Sequence, residues 1–392
     1  MVEYDPYVYQ VHEDPYPIYR ALRDQAPVYR NPALGFWALS RHADVLAAFK
    51  DVETFSSRYG VSLDRDVFHP NAHATMSFLA MDPPRHTRMR ALVSRGFTPR
   101  RVSELEPRIR AIAREHLDAC AGQGGCDFIA DFAGKLPMDV ISELLGVPTS
   151  DRSTLRGWAD QVVHRDEGMR GLPPAAAQAA LAMVQYFTEM VAAGRRNPRD
   201  DLTGALLAAE IDGDRLSNRE IIGFLFLMIV AGNETTTKLL GNSVYWLFRN
   251  PEQREKLRRD PGLIPAWVEE TLRYDNSTQA LARRVEREVE LHGEKLREGD
   301  KVVLLIGSAN RDERVFPDPD RFDLLRNTQR SLAFGQGTHF CLGASLARLE
   351  GRVALEELER RLPGWQVEPS GSVRVHSVNV RGFAALPIRF PT

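Results

Sequence analysis

The sequence predicts a mainly α-helical protein with a small β lobe, folded as one large domain over residues 1–392. Apolar residues recur at helical spacing along most of the chain. One segment, Ser217–Asn250, carries no helix-stopping signal before Pro251, and at 1.5 Å per residue such a helix is about 50 Å long. Strand patterns are confined to the N-terminal part and to about 280–310. No repeat, low-complexity tract or Pro/Ser-rich linker marks a domain boundary, although length alone favours two or three domains.

The first half of the chain contains most of the predicted helices. Tyr16, Ile18, Tyr19 and Leu22 lie on one face of a helix over Pro15–Asp24, and a short strand follows at Phe36–Leu39. The other predicted helices are Val45–Phe49, Arg85–Arg95, Ser103–Leu117, Ala130–Leu145, Pro174–Ala193 and Thr203–Ala209. Ser57–Leu79 is aperiodic and predicts a long loop, and loops of that length inside a domain tend to be functional. A second loop is predicted over Arg165–Pro174.

The second half begins with the long helix. Ser217 followed by Glu220 is a capping-box pattern that marks its start. Because the first turns are apolar on all sides, this helix is expected to run through the middle of the protein. A helix over Leu263–Tyr274, short strands ending at Val302–Ile306 and a final helix over Leu342–Leu362 complete the prediction.

The composition excludes several classes of protein. The chain has 51 Lys and Arg against 53 Asp and Glu, and this balance argues against nucleic acid as a partner. Three cysteines cannot form a disulfide framework and favour a reducing compartment. The N-terminus lacks the basic and apolar regions of a signal peptide. The longest apolar run, Ile221–Gly232, is 12 residues, too short for a membrane anchor. We therefore expect a cytoplasmic protein.

The strongest chemical signal is Phe334–Gly343, with the sequence F-G-Q-G-T-H-F-C-L-G. Gly335 and Gly337 permit backbone conformations that fold a loop back on itself. Cys341 would then lie at a helix N-terminus among backbone N–H groups that favour its thiolate. A single soft thiolate suits haem iron better than zinc, which takes four ligands. The alternative is a buried structural cysteine, but the ten-residue context argues against it.

The long helix carries a second signal, Ala231-Gly232-Asn233-Glu234-Thr235-Thr236. A glycine and polar residues in the middle of a buried helix are costly, since Gly alone costs about 1 kcal/mol relative to Ala. An adjacent acid and alcohol in an apolar segment is typical of a proton-delivery pair. The structural alternative is that Thr235 donates a hydrogen bond to the carbonyl four residues earlier.

Two further pairs are weak by themselves. Glu270 and Arg273 share a helix face, and such a pair contributes little when it is exposed. His86 and Arg90 also share one face, where two donors suit a pair of carboxylates; a solvated basic helix is the alternative.

Together these motifs, in this order and spacing over essentially the whole chain, resemble the cytochrome P-450 family of haem-thiolate monooxygenases. The resemblance implies a P-450 fold with the long helix over haem b and the cysteine loop beneath it. It implies that Cys341 is the axial iron ligand, with Phe334 close to the thiolate, His339 at a haem propionate and Gly343 beside the cofactor. Glu234 and Thr235 resemble the family's proton-delivery pair, and Ala231 leaves space for dioxygen.

The resemblance extends to supporting residues. Glu270 and Arg273, with Arg321 as third member, would brace the cysteine loop. His86 and Arg90 would bind propionates together with Arg283, although adjacent Arg284 leaves that choice open. The residues predicted by this resemblance to line the substrate pocket are Leu79, Leu227, Val230, Ala231, Asn276 and Asn379.

The implied activity is hydroxylation of a mid-sized lipophilic substrate, such as a terpenoid, steroid, polyketide or fatty acid-like molecule, by O2. Since the chain shows no flavin or iron–sulfur module, electrons are expected from a separate ferredoxin and ferredoxin reductase. Four arginines are candidates for attracting an acidic ferredoxin: Arg88, Arg330, Arg348 and Arg352. The alternatives are a peroxide-driven haem-thiolate enzyme and a non-catalytic haem-thiolate sensor. The intact pair Glu234-Thr235 argues against both.

Overall fold

The computed structural model describes residues 2–94, 97–211 and 213–391. Helices dominate this part of the chain, and the β structure is small, as predicted. The α-helices are α1 Tyr9–Glu13, α2 Tyr16–Gln25, α3 His42–Lys50, α4 His73–Met76, α5 Arg85–Ser94, α6 Pro99–Glu104, α7 Glu106–Ala121, α8 Leu136–Leu145, α9 Arg152–Val163, α10 Pro174–Arg196, α11 Leu202–Ala208, α12 Asn218–Arg249, α13 Pro251–Arg259, α14 Ile264–Tyr274, α15 Ile306–Ala309 and α16 Ala344–Arg361.

The main sheet has five strands in the order β1-β2-β10-β7-β3. Only its β2–β10 pair is parallel; the other pairs are antiparallel. The strands are β1 Val28–Asn31, β2 Phe36–Leu39, β3 Phe55–Ser56, β4 Gly125–Asp127, β5 Glu210–Ile211, β6 Asp214–Arg215, β7 Ala280–Val285, β8 Val289–Leu291, β9 Glu294–Leu296, β10 Lys301–Leu305, β11 Gln366–Val367, β12 Val373–Arg374, β13 Phe383–Ala385 and β14 Pro387–Arg389. The predicted strand Phe36–Leu39 is confirmed as β2.

The long helix α12 begins where the capping box predicted. Ser217 accepts a hydrogen bond from the backbone of Glu220, whose side chain accepts from the backbone N–H of Ser217. The helix has 32 residues, about 48 Å at 1.5 Å per residue, and packs against α8, α9, α10, α14 and α16. Its apolar residues belong to the largest hydrophobic core, which confirms its central position.

Several predicted boundaries differ from the observed ones. The predicted helix Ser103–Leu117 is divided between α6 and α7, because Pro107 occupies the first turn of α7 and has no N–H for a preceding helix. The predicted helix Ala130–Leu145 is also divided, into a π-helical turn over Phe128–Ala133 and α8. The predicted loop Ser57–Leu79 contains α4 and a 3-10 turn at Ser77–Ala80. The end of the predicted helix at Arg95 lies outside the described residues.

This architecture leaves a site between α12 and the segment that precedes α16. The loop over 332–343 faces the middle of α12, and β7 lines the space between them. His86 of α5 lies against His339 of the loop. Among the described residues, none of the helices is both long enough and apolar enough to cross a bilayer.

Candidate active site

The segment from Phe334 to Gly343 forms the folded-back loop that its glycines predict. Gly335 and Gly337 have φ values of 67° and 69°, which side-chain-bearing residues rarely adopt. The loop is closed by a hydrogen bond of 2.9 Å from the Cys341 backbone N–H to the Phe334 carbonyl. Gly343 then occupies the N-cap of α16, where a Cβ would meet no heavy atom within 4 Å. The loop therefore presents one thiol beside open space.

Cys341 is accessible from the cavity, although the cavity lies inside the protein. Burial raises the pKa of the Cys341 thiol, while a hydrogen bond with the backbone of Gly343 and the charge of Arg90 act in the opposite direction. The backbone N–H groups at the start of α16 therefore act in the direction that the sequence predicts, and burial of the thiol acts against them. Binding of a metal ion to the sulfur would release the thiol proton.

A cavity separates Cys341 from α12. Leu227, Ala231, Gly232 and Thr235 line it on the α12 side. The wall is mainly apolar, and the other lining residues that bear on its chemistry are Phe78, Leu79, Asn276, Ser277, Thr278, Phe334, His339, Gly343 and Glu350. Such a cavity, with few polar groups in an apolar wall, is typical of a site for a small molecule.

Unsatisfied donors lie at one side of the cavity. His86 and His339 are buried with ring centroids 4.4 Å apart, and none of their four ring nitrogens has a hydrogen-bond partner among the described residues. Burial and then the nearby Arg90 lower the pKa of His86 to about 4. Burial and then Arg283 lower the pKa of His339 to about 2. Buried polar groups usually have partners, so this cluster suits an anionic ligand.

The structure distinguishes between Arg283 and Arg284. The buried Arg283 lines the cavity, and among the described residues its side chain donates only to the adjacent carbonyl of Ala282, at 2.7 Å. Burial lowers its pKa to about 10. Arg284 instead forms an ion pair of 2.6 Å with Glu286. Arg90 lies near this cluster and reaches the Thr338 carbonyl at 3.4 Å.

The side chains of Glu234 and Thr235 on α12 point in different directions. Thr235 lines the cavity, and its hydroxyl donates to the Ala231 carbonyl at 2.7 Å. The hydrogen bond of the structural alternative is thus present, but the hydroxyl oxygen keeps lone pairs for a ligand. Glu234 is only 1% exposed and does not line the cavity. Its carboxylate forms an ion pair of 3.2 Å with Lys238, one turn further along α12.

The pair Glu270–Arg273 is buried, unlike the exposed pair that makes such motifs weak. Their side chains are 1% and 0% exposed and form two hydrogen bonds, of 2.7 and 2.8 Å. Arg273 also donates to the carbonyl of Asn310 at 3.0 Å. The side chain of Asn310 in turn accepts from the backbone N–H of Leu332 at 2.7 Å. Because Leu332 precedes the cysteine loop, this chain of contacts connects α14 to the loop.

The prediction of Arg321 as the third member of this cluster is wrong. The Arg321 side chain is 61% exposed and pairs with Asp323. Arg326 replaces it, with its guanidinium 3.3 Å from Glu270 and donating to the carbonyl of Arg321 at 3.0 Å. The chain reverses direction between the two positions, and only Arg326 returns to Glu270.

Two predicted pocket residues lie elsewhere. Val230 packs against the hydrophobic core instead of lining the cavity, because neighbouring positions on a helix point about 100° apart and Ala231 takes the cavity face. Asn379 also lies outside the lining, and its amide donates to the carbonyls of Ala280 and Val61 at 2.9 and 3.2 Å. Its role is to join the C-terminal segment to β7.

Three of the four arginines considered for partner binding have carboxylate partners. Arg88 contacts Asp214 and Glu220, Arg348 contacts Glu269, and Arg352 contacts Glu106 and Glu356. Their charges are therefore largely neutralised within the protein. Arg330 is exposed.

Sequence reasoning missed four residues near the site. Lys238 follows Glu234 by four positions, a spacing that predicts an ion pair on a helix and was available in the sequence. Glu350 lines the cavity from α16 and is 3% exposed; burial raises its pKa to about 8. Burial and then the charge of Glu234 raise the pKa of Asp160 on α9 to about 7. No local pattern points to Asp160, Glu350 or Arg326, since their partners are distant in sequence.

Comparison with known proteins gives a consistent result. The family model described as Cytochrome P450 matches residues 174–261 and 262–372. A "Putative cytochrome P450 123" of Mycobacterium tuberculosis is 56% identical over 385 residues, covering 98% of this chain and 96% of that protein. A "Vitamin D(3) 25-hydroxylase" of Pseudonocardia autotrophica is 39% identical, covering 96% and 94%. The structure of CYP109E1 from Bacillus megaterium in complex with testosterone matches with a TM-score of 0.91 and 34% identity, covering 98% and 99%.

Proposed function

Since the chain belongs to the cytochrome P450 family of haem-thiolate monooxygenases, which use haem b and O2, we propose that it hydroxylates a mid-sized lipophilic substrate with electrons from a separate ferredoxin and its reductase. The observation that carries the proposal is the cavity between Cys341 and Thr235, which has a thiol on one wall and a hydroxyl on the other. The intervening wall is apolar, as a lipophilic substrate requires.

The residues around the cavity fit haem b. Haem b is a flat group with two carboxylates on one edge. These carboxylates match the donor cluster of His86, His339 and Arg283, whose ring nitrogens and guanidinium have no anionic partner within hydrogen-bond distance in the described part of the chain. Arg90 adds a positive charge on the same side. The open space at Gly343 and the thiol of Cys341 suit the iron-bearing face. When bound, haem b with a thiolate ligand supplies the oxidation chemistry, and the thiolate favours cleavage of the O–O bond.

The protein's own residues control position and protons. Phe78, Leu79 and Leu227 exclude water and hold an apolar substrate, and Ala231 and Gly232 leave room beside α12. The hydroxyl of Thr235 lies at the cavity surface, where it can accept and pass on a proton. Glu234 precedes it as the acid of the pair.

The substrate class is supported by the relatives and by the wall. The names of similar proteins include a vitamin D3 hydroxylase and a protein solved with testosterone, both associated with steroid-like molecules. The described cavity has Asn276, Ser277 and Thr278 as neutral polar groups, which suit the hydroxyl or keto oxygens of such a molecule.

The test combines spectroscopy and turnover. The reduced CO complex of the parent protein is expected to show the strongly red-shifted Soret band of a thiolate-ligated haem. Cys341→Ser should abolish the band, whereas the matched control Cys126→Ser should keep it. With a ferredoxin, its reductase and NADPH, steroid-like compounds that shift the iron to high spin should yield hydroxylated products. A Cys341→Ser protein with an unchanged band, or product formed without the ferredoxin, would contradict the proposal.

A further inference from the structure

A second cavity lies where the C-terminal part of α12 and the end of α14 meet α2. Its volume is about 600 Å³, and four arginines and four aromatic residues contribute to its wall. Tyr245 on α12 lines it ten positions beyond Thr235, which is about 15 Å along the helix. Among the described residues, none lines both this cavity and the one beside Cys341. The second cavity is therefore separate from the candidate active site.

The four arginines of the second cavity share two carboxylates. The ion pairs are those of Arg374 and Arg381 with Asp275, at 3.4 and 2.7 Å, and those of Arg20 and Arg311 with Asp320, the latter at 3.1 Å. In the described part of the chain these four arginines form no other ion pair. Because each carboxylate carries one negative charge, two positive charges remain without an ion-pair partner.

Two of these guanidinium groups also have hydrogen-bond donors without a partner among the described residues. The side chain of Arg374 is 9% exposed and donates only through Nη1, to Asn242 at 3.2 Å and to Asp275 at 3.4 Å. The side chain of Arg311 is 5% exposed, and its Nη2 is buried and unpartnered. Burial and then the charge of Arg381 lower the pKa of Arg374 to about 10. Buried donors usually have partners, so these donors suit an anion that does not belong to the chain.

Aromatic rings form much of the remaining wall. Arg311 lies over the rings of Tyr16 and Tyr274, with its Cζ atom 3.5 and 3.6 Å from their centroids. The rings of Trp246 and Tyr274 pack edge to face with centroids 4.9 Å apart, and Tyr245 adjoins Trp246. Such rings pack well against a flat aromatic body, and guanidinium groups bind carboxylates through two parallel hydrogen bonds. The wall therefore combines donors for a carboxylate with a surface for a ring.

We propose that the second cavity is a binding site for an aromatic carboxylate. The carboxylate accepts hydrogen bonds from Nε and Nη2 of Arg374, and the ring lies against Tyr245 and Trp246. A cavity of about 600 Å³ has room for such a ligand. Glu13 and Asp14 are exposed at the rim, where their charges oppose an anion and so limit its affinity. The proposal does not depend on the proposed function, since the two cavities are lined by different residues.

The test measures binding to the holoprotein by isothermal titration calorimetry at low salt, because salt screens exposed charges. Benzoate is the probe, inorganic phosphate represents the anion without a ring, and benzyl alcohol represents the ring without a charge. We expect one benzoate per protein with a Kd of about 1 mM or below, and binding at least about tenfold weaker for the other two compounds. The Soret band, followed in parallel, should not shift with the calorimetric Kd, because the benzoate lies outside the cavity beside Cys341.

Variants then locate the bound benzoate. Arg374→Gln should raise the Kd at least about tenfold, since it removes the charged donors. Because Arg374 also contacts Asp275, two exposed residues of the wall provide a second measurement that does not disturb this buried pair. Arg20→Gln should raise the Kd and Glu13→Gln should lower it, each by about two- to fivefold, because the two substitutions change the charge in opposite directions. The matched control is Glu3→Gln, whose parent residue is exposed outside the cavity, and it should leave the Kd unchanged.

Several outcomes would overturn the proposal. One is the absence of saturable benzoate binding, and another is binding of phosphate or benzyl alcohol as tight as that of benzoate. A Soret shift with the calorimetric Kd would place the benzoate beside Cys341 instead. A folded Arg374→Gln protein with the parent's Kd, or shifts of the Kd in the same direction in Arg20→Gln and Glu13→Gln, would show that the second cavity does not bind the carboxylate.

Discussion

Replacement of Glu270 by glutamine tests how much the buried cluster behind the cysteine loop contributes to stability. Glu270 accepts hydrogen bonds from Arg273 at 2.7 and 2.8 Å and from the backbone of Asp323 at 2.9 Å, and its carboxylate also lies 3.3 Å from Arg326. Glutamine keeps the shape but removes the charge. Arg273, which is 0% exposed, then remains as a buried cation without its counter-charge.

These contacts set the expected loss of stability in Glu270→Gln. Breaking a buried ion pair by neutralising one partner costs about 3–5 kcal/mol. The entropy of unfolding is about 2.1 cal/mol/K per residue, or about 0.8 kcal/mol per kelvin for a chain of 392 residues. Glu270→Gln should therefore lower Tm by about 4–6 °C.

The assay is thermal unfolding of the holoprotein, followed by circular dichroism and by the Soret band. The control is Glu255→Gln, because Glu255 pairs with Arg258 and Arg259 on the surface of α13 and is 39% exposed. Exposed pairs contribute about 0–1 kcal/mol, so the control should change Tm by no more than about 1 °C. Equal Tm values for the two variants would refute the argument that burial makes the Glu270 cluster important.

Two further predictions concern pH. Burial alone would raise the pKa of Asp275, but Arg381, Arg374 and hydrogen bonds from Tyr16 and Trp246 together outweigh it and hold the pKa well below 3.8. The ionised form of Asp275 therefore stabilises the protein above about pH 4. Asp275→Asn should lower the free energy of unfolding at pH 7, and the difference from the parent in urea titrations should narrow below pH 4. Burial raises the pKa of Glu350 to about 8, so the parent loses stability as pH rises from 4.5 to 8. Glu350→Gln should remove this loss. Relative to the parent, the free energy of unfolding of the variant in urea titrations should grow by about 1.4 kcal/mol per pH unit between those pH values and then level off. A gain that is independent of pH would contradict the assignment.

Much of the site could be predicted because its signals are local. The capping box at Ser217 needs only three neighbouring residues, and the turn at Gly335 and Gly337 needs only the absence of side chains. The spacing of the loop also places Cys341 just before α16, whatever packs around it. These features depend on short-range geometry, so sequence alone determines them.

Other features depend on which distant segments meet. Arg321 and Arg326 are close in sequence and carry the same side chain. Only the return of the chain toward α14 decides that Arg326, and not Arg321, reaches Glu270. Successive side chains of β7 point to opposite faces of the sheet. This alternation and the register of β7 with β10 decide that Arg283, and not Arg284, faces the cavity.

The charged groups also divide into features that local sequence determines and features that depend on tertiary packing. The sequence by itself determined the fold class, the cysteine loop and the acid–alcohol pair, because each depends on residues adjacent in the chain. Only the tertiary structure decided that Arg88 is neutralised by Asp214 and that the pKa values of the Cys341 thiol and of Asp160 are raised. The physical reason is that burial and long-range ion pairs set these energies, and both arise only when segments far apart in sequence pack together.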